Sequence, residues 1–318
     1  MPEWLIERGI GETRMALIED GDIIEARIEL DGIRRAGSVV SARLSSTGTG
    51  GRNAVGVGEG GNEYLLPRGA GRATQGATVM IEVTREAIPG VEPWKRALAR
   101  VSDKEPQEPG RIPGREATFP SPADPLGEAG WNDLIDQART GSVTFAGGEL
   151  RIFPTPAMTL IDVDGYLPPE ELAVLGASEA ALAIRRLDIG GSIGIDLPTT
   201  AGRTARQRAD AAIDEALPQP FERTAVNGFG FVQIVRPRGR ASLVELAQDK
   251  PGFEARALLR NAALDSPGPK RLVAAPPVIA LLQRHAGWLE TLARQLGGAV
   301  ELRADPALPM SAGYAENL

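Results

Sequence analysis

The chain has no cysteine and a single histidine in 318 residues. Without thiols it forms neither disulfides nor redox-active pairs, and it cannot hold zinc through cysteine ligands. His285, the lone histidine, sits at helical spacing in L-L-Q-R-H-A-G-W-L-E-T-L-A and reads as an ordinary helix residue, not a catalytic one. No apolar run is long enough to span a bilayer. The start, M-P-E-W-L-I-E-R, has no basic segment followed by an apolar stretch, so no signal peptide is expected. These absences predict a soluble, cytoplasmic protein without a membrane partner. Excess positive charge is missing too. Thirty-five Lys and Arg against 42 Asp and Glu leave a net charge of −7, which argues against a general nucleic-acid coat protein. A local basic stripe would still suit an RNA enzyme. The length is ample for two domains with cores of their own.

What is present is a set of carboxylates at strand ends. The run from Gly147, G-G-E-L-R-I-F-P-T-P-A-M-T-L-I-D-V-D-G, ends on Asp162 and Asp164, and L-D-I-G-G-S-I-G-I-D-L-P ends on Asp196. The segment between them has helical spacing, and a strand–helix–strand crossover joins parallel neighbours. Ligands in such sheets sit outside the carboxyl ends of the strands. Adjacent strands would put Asp162 and Asp196 about 5 Å apart, which suits one Mg²⁺ completed by water and substrate phosphate. An Asp-Gly pair after an apolar run is also an ordinary turn signal.

Around this unit the pattern predicts a helix over 132–139, strands over 143–145, 150–153 and 158–163, and a helix start at Pro168–Glu171. Gly176 is expected to interrupt that helix and Ser178 to cap a second one ending near Leu187. A helix over 204–216, a strand near 229–235, helices within 277–296 and a strand over 299–303 complete the reading. Two arginine groups follow the strand ends: Arg203, Arg206 and Arg208, then Arg236, Arg238 and Arg240. Arginine's planar fork suits phosphate, so these are candidate RNA contacts. From about Arg34 to Asp103, S-V-V-S-A-R-L, N-A-V-G-V-G, E-Y-L-L-P and A-T-V-M-I-E-V-T alternate like half-buried strands. Gly56, Gly58 and Gly61 fit G-x-G-x-x-G but precede another strand, which makes them a hairpin turn. Gly190, Ser192 and Gly194 fit G-x-S-x-G, with Asp265 and His285 following in hydrolase order. Ser192 begins a strand, however, and a nucleophile elbow needs it after one.

P-A-M-T-L-I-D-V-D-G and L-D-I-G-G-S-I-G-I-D resemble the catalytic signature of the RNase E/G family of bacterial endoribonucleases. T-A-V-N-G-F-G-F-V-Q-I-V-R-P-R resembles the family's stretch after the second aspartate, W-L-I-E-R-G-I-G-E-T-R-M-A-L-I-E-D-G its opening strands, and V-A-A-P-P-V-I-A-L-L part of its small C-terminal domain. The resemblance implies an α+β / α/β fold: a deoxyribonuclease-I-like catalytic subdomain, an inserted OB-type β-barrel and a small C-terminal α/β subdomain. Its boundaries fall at 1–33 (opening strands, a remnant of an RNase-H-like part), 34–102 (barrel), 103–130 (Pro/Gly-rich linker), 131–260 (catalytic subdomain) and 261–318. It implies Mg²⁺ as cofactor, Asp162 and Asp196 as its ligands, and Asp164 as a third catalytic position where the family carries Asn. The RNA contacts carried over are Arg236 and Arg238, which match basic positions of the family pattern, and Lys95, where a family lysine contacts RNA. In the barrel the family's stacking phenylalanines are replaced by Val55 and Leu65, with Tyr64 beside them.

The chain also departs from the family. Asp103–Gly130 replaces the sensor for the RNA 5′ phosphate, so cleavage is expected to be independent of that phosphate. The C-x-x-C pair that joins two chains through zinc is missing, and N-A-A-L-D-S-P-G-P-K, from Asn261, stands in its place. A homodimer, if formed, lacks the zinc link. Two readings follow: a Mg²⁺-dependent endoribonuclease acting on single-stranded RNA, in RNA processing such as ribosomal RNA maturation or in messenger decay, and a non-catalytic RNA-binding descendant.

Overall fold

The computed structural model describes residues 1–48, 53–90, 95–200 and 202–318. The chain opens as an antiparallel meander of β1 (Glu3–Arg8), β2 (Glu12–Glu19) and β3 (Asp22–Leu30). Next come β4 (Val39–Ser46), β5 (Ala54–Gly58), β6 (Glu63–Leu66), β7 (Thr78–Arg85) and β8 (Ala97–Val101). They form a closed five-stranded barrel in the order β4-β5-β6-β8-β7, in which only β6 and β8 run parallel. Small residues fill much of its interior, among them Ala42, Ala54, Ala97 and Ala99 beside Leu44 and Ile81. A Cβ at Gly56 would come within 3.2 Å of Ala42 Cβ, so the barrel is tight there. The first four barrel strands coincide with the alternating runs of the sequence. β8 lacks the signature of a half-buried strand, because A-L-A-R-V turns its alanines inward and Leu98 outward. The triple-glycine motif is the β5–β6 hairpin, through a single 3-10 turn at Glu59–Gly61.

The segment expected to be an irregular linker, 103–130, is more ordered than that. Gln107 exchanges two backbone hydrogen bonds with Val39, at 2.8 and 3.1 Å. β9 (Arg115–Ala117) pairs parallel with β1. The short α1 (Pro125–Glu128) is capped by Asp124, whose side chain accepts from the Gly127 N–H. Proline and glycine cut this stretch into short pieces, and pairing with distant strands orders them, which local composition does not report. α2 (Trp131–Thr140) follows.

A six-stranded sheet then forms from β10 (Ser142–Phe145), β11 (Gly148–Pro154), β12 (Thr159–Gly165), β13 (Gly191–Asp196), β14 (Glu222–Arg223) and β15 (Phe231–Arg236). Its order is β10-β11-β12-β13-β15-β14. β12 and β13 are its parallel pair, joined by α3 (Pro169–Arg186); α4 (Arg203–Ala216) follows β13. Ile161, Val163, Ile193, Ile195, Val232 and Ile234 are buried on one face, where α3 packs on β11 and β12 and against α4. α3 is one unbroken helix, so the expected break at Gly176 and second cap at Ser178 are wrong. Gly176 is a packing residue: a Cβ there would meet Val163 Cγ1 at 2.3 Å, so glycine lets the helix lie close on β12.

The chain ends with α5 (Leu243–Leu246), α6 (Lys250–Leu264), β16 (Lys270–Ala274), α7 (Pro276–Arg284), α8 (Ala286–Leu296), β17 (Val300–Ala304) and β18 (Tyr314–Asn317). β16 is central, parallel to β17 and antiparallel to β18. Leu258, Leu272, Val278, Leu282, Leu292 and Leu296 form the core beneath the helices. Lys270 is fully buried, and its ammonium donates to Asp265 (2.6 Å), Ser266 (3.1 Å) and Asn317 (2.6 Å).

Contacts group the chain into two compact units, residues 1–31, 113–140 and 246–318 in one, and 32–112 with 141–245 in the other. The first holds a buried ionic network. Glu7 accepts from Arg14 (2.7 Å) and Arg260 (3.0 and 3.1 Å), and Glu12 pairs with Arg14 (2.7 Å) and Arg256 (2.8 Å). The second holds the barrel and the six-stranded sheet, and with them every candidate site residue.

A carboxylate row on the open face of the sheet

β12 alternates strictly. Ile161 and Val163 point into the core, while Leu160, Asp162 and Asp164 point to the uncovered face. Register carries that face across the sheet in one row: Arg151 on β11, Asp162 on β12, Asp196 on β13 and Phe231 on β15. Asp162 and Asp196 are direct partners in the parallel pair, and neighbouring strands lie about 4.8 Å apart. The next row outward pairs Glu149 with Asp164. The three carboxylates named from the sequence therefore share one face, at the carboxyl ends of the parallel strands.

Crowding has an electrostatic consequence. The Asp162 carboxyl is raised above the ordinary aspartate range, first by partial burial and then by the charges of Asp164 and Asp196. Arg151 and a hydrogen bond from the Val163 N–H oppose the rise. Oxygen donors that repel one another in this way suit a hard divalent cation, and Mg²⁺ needs only one or two carboxylates from the protein. Among the described residues no group of three or more His, Cys, Asp or Glu side chains is arranged to hold a metal. What the sheet does bring together is the Asp162–Asp196 register pair, with Asp164 alongside on the same face.

An apolar row runs beside the charged one. Phe153, Leu160 and Gly194 are register partners, and the Phe231 ring lies over Gly194. A Cβ at Gly194 would approach that ring to 2.6 Å and Leu160 to 3.1 Å, so glycine is required for the ring to cover the strand. Arg151 and Phe231 were not picked out from the sequence. Counting back along β11 from the T-P-A-M turn to find the partner of Asp162 would have located Arg151.

The candidate RNA contacts divide. Arg203 is exposed in the first turn of α4, on the chain leaving the carboxyl end of β13. Arg206 is half-buried and donates to the Thr200 carbonyl at 3.0 Å. Arg236 and Arg238 do not join the carboxylates. β15 runs antiparallel to β13, so Arg236 pairs with Gly191, about 17 Å of strand away from Asp196. There Arg236 donates to the Ile189 carbonyl at 3.0 Å. Arg238 pairs with Glu245, whose other oxygen accepts from the Ser242 N–H (3.0 Å) and hydroxyl (2.9 Å). These two arginines anchor the chain after β15. Arg240 likewise pairs with Asp188.

Tyr64 is also corrected. It is 3 % exposed, sits in the barrel core against Gly58, and its hydroxyl is raised by burial. It is inaccessible to a base, because alternation along β6 turns it inward while Leu65 and its partner Val55 are half-buried outside. Lys95 is half-buried on the barrel, where its carbonyl accepts from Ile88, in a groove shared with Asn62 and Arg96. Ser192 lies within β13, which rules out a nucleophile elbow, and His285 is exposed and stacked on Trp288 at 4.2 Å. Among the described residues no helix is long and apolar enough to cross a membrane. The sequence matches no protein-family model and no curated protein.

Proposed function

We propose that this chain is a Mg²⁺-dependent endoribonuclease acting on single-stranded RNA, a shortened relative of the RNase E/G family. The observation that carries this reading is the register pairing of Asp162 with Asp196 on an open sheet face, with a third carboxylate beside them. Two further features support it. Asp162 is raised by partial burial and then by its acidic neighbours, which is compatible with a pair sharing a cation. The barrel has strand order 1-2-3-5-4 with its third and fifth strands parallel, the connectivity of an OB-type barrel, a fold that binds single-stranded nucleic acid.

When bound, Mg²⁺ supplies positive charge to the phosphodiester and makes a water more acidic. Asp162 and Asp196 would hold the ion. Asp164 adds negative charge beside it, which strengthens attraction for the cation and opposes the phosphate. Arg151, next in the row, offers a guanidinium to a non-bridging phosphate oxygen. Arg203 offers a second at the same end of β13. The non-catalytic alternative is favoured by one observation: Arg236 and Arg238, which match basic positions of the family, are engaged in holding their own chain.

The test is incubation of a labelled, unstructured RNA with the protein in Mg²⁺ or EDTA, beside Asp162→Asn, Asp196→Asn and the double variant. Internal cuts that need Mg²⁺ and fall at least about 100-fold in each variant are expected, since truncating a transition-state electrostatic group costs on that order. Equal rates on 5′-hydroxyl and 5′-monophosphate RNA are expected as well. Binding without cutting, equal in all four proteins, would leave the RNA-binding descendant.

A further inference from the structure

Two aromatic rings stand just beyond the carboxylate row, at the same end of the sheet, and are left uncovered. Tyr166 is 84 % exposed and Phe229 is 82 % exposed, the two most exposed aromatic side chains among the described residues. Tyr166 directly follows β12, just past Asp164. Phe229 lies in the turn that enters β15, two residues before Phe231, the partner of Asp196. Both therefore stand at the carboxyl end of the parallel strands, about two strand spacings (~10 Å) apart across the sheet.

Their backbones are fixed although their rings are not covered. The Tyr166 N–H donates to the Gly147 carbonyl at 3.1 Å. At Phe229 the N–H donates to Asn227 Oδ1 (2.9 Å), and the carbonyl accepts from the Thr199 hydroxyl (3.1 Å). Asn227 Oδ1 also takes the Phe231 N–H at 3.1 Å. Gly230, at φ +89, packs so closely on the Leu197 carbonyl that a Cβ would lie 2.2 Å from its oxygen. A bare ring on a pinned turn keeps little conformational freedom to lose on contact, as rigid binding aromatics do. Beside the rings, toward the sheet, lies the charged row of Asp162 and Asp196 and not a continuous apolar patch of the kind a protein partner would cover. A single nucleic-acid strand alternates flat bases with phosphates, and so fits ring, carboxylate-held cation, ring.

We propose that Tyr166 and Phe229 are stacking platforms for the bases on either side of the phosphate brought to Asp162 and Asp196. This rests on the endoribonuclease reading for its substrate class. Stacking tolerates any base, so the platforms position the strand without reading its sequence.

The experiment measures binding of a fluorescein-labelled short oligouridylate, by anisotropy in EDTA at low salt, beside an abasic strand of equal length. Wild type should prefer the oligouridylate. Tyr166→Ala and Phe229→Ala should each lose about 5- to 150-fold in affinity for it, the range of one base–aromatic stack, and lose nothing toward the abasic strand. Tyr166→Phe and Phe229→Trp should restore binding. Alanine variants that bind the oligouridylate like wild type, or that weaken equally toward both strands, overturn the proposal, as does a wild type without preference. The two readings separate cleanly. Base-dependent losses without Mg²⁺-dependent cleavage keep the platforms and remove the nuclease. Cleavage with an unchanged KM in the alanine variants keeps the nuclease and removes the platforms.

Discussion

Replacing Asp162 by Asn should stabilise the metal-free protein. Asp162 faces Asp196 across one strand spacing and Asp164 along its own strand, all on one face. Two unit charges about 5 Å apart repel by about 0.8 kcal/mol in bulk water and by about 3 kcal/mol at an effective dielectric constant of about 20. Asp164 and Asp196 are exposed, so screening places the effect toward the lower figure, and about 1 kcal/mol is expected. The sign follows from Asp162 being raised. A raised carboxyl carries its penalty above its folded pKa, where it is ionised, and loses it as pH falls through that value. Asp162→Asn should therefore stabilise the sheet at neutral pH and make no difference once acidification has protonated Asp162. Mg²⁺ at ten times its Kd should add about 1.4 kcal/mol to wild type by mass action and nothing to the variant. Two compact units make a global two-state fit unsafe. The suitable assay is hydrogen exchange in peptides spanning β12 and β13, with and without Mg²⁺. A variant that exchanges faster than metal-free wild type, or gains as much protection from Mg²⁺, would refute the reasoning.

Other outcomes follow from single residues. Arg14→Met should cost about 3 kcal/mol, the low end for breaking a buried ion pair, because Glu7 keeps Arg260 and Glu12 keeps Arg256; urea unfolding followed by fluorescence of the buried Trp131 checks this. Arg238→Gln should destabilise the protein by about 1–3 kcal/mol and leave the salt dependence of RNA binding unchanged, whereas Arg203→Ala should flatten that dependence if it meets a phosphate; thermal melts and anisotropy titrations at several salt concentrations separate the two. Gly176→Val should fold poorly or lose more than about 3 kcal/mol, since its Cβ alone would overlap Val163; soluble yield and melting temperature report it.

The sequence carried the carboxylate geometry well. A strand ending on Asp162, a helix and a strand ending on Asp196 leave little choice but parallel neighbours, because crossovers obey strong rules. Alternation likewise put Asp162 and Asp164 on one face. What failed was inference from proximity in the chain. Arg236 and Arg238 follow a strand closely, but β15 returns antiparallel and carries them to the far end. Tyr64 neighbours Leu65 yet points the other way. Gly176 looked like a helix break because propensity is local, while close packing on Val163 is not. β9 was hidden in a Pro/Gly-rich stretch, and its order comes from β1, more than a hundred residues away. Tyr166 and Phe229 could not be found from the sequence, since exposure of an aromatic depends on which elements cover it.

The most direct measurement is a Mn²⁺ titration of the metal-free protein by electron paramagnetic resonance, with Mg²⁺ as competitor. The account predicts one ion per chain, displaced by Mg²⁺ and lost in both Asp162→Asn and Asp196→Asn. An ion bound equally by the double variant, or none bound by wild type at millimolar metal, as weak oxygen sites require, would contradict it.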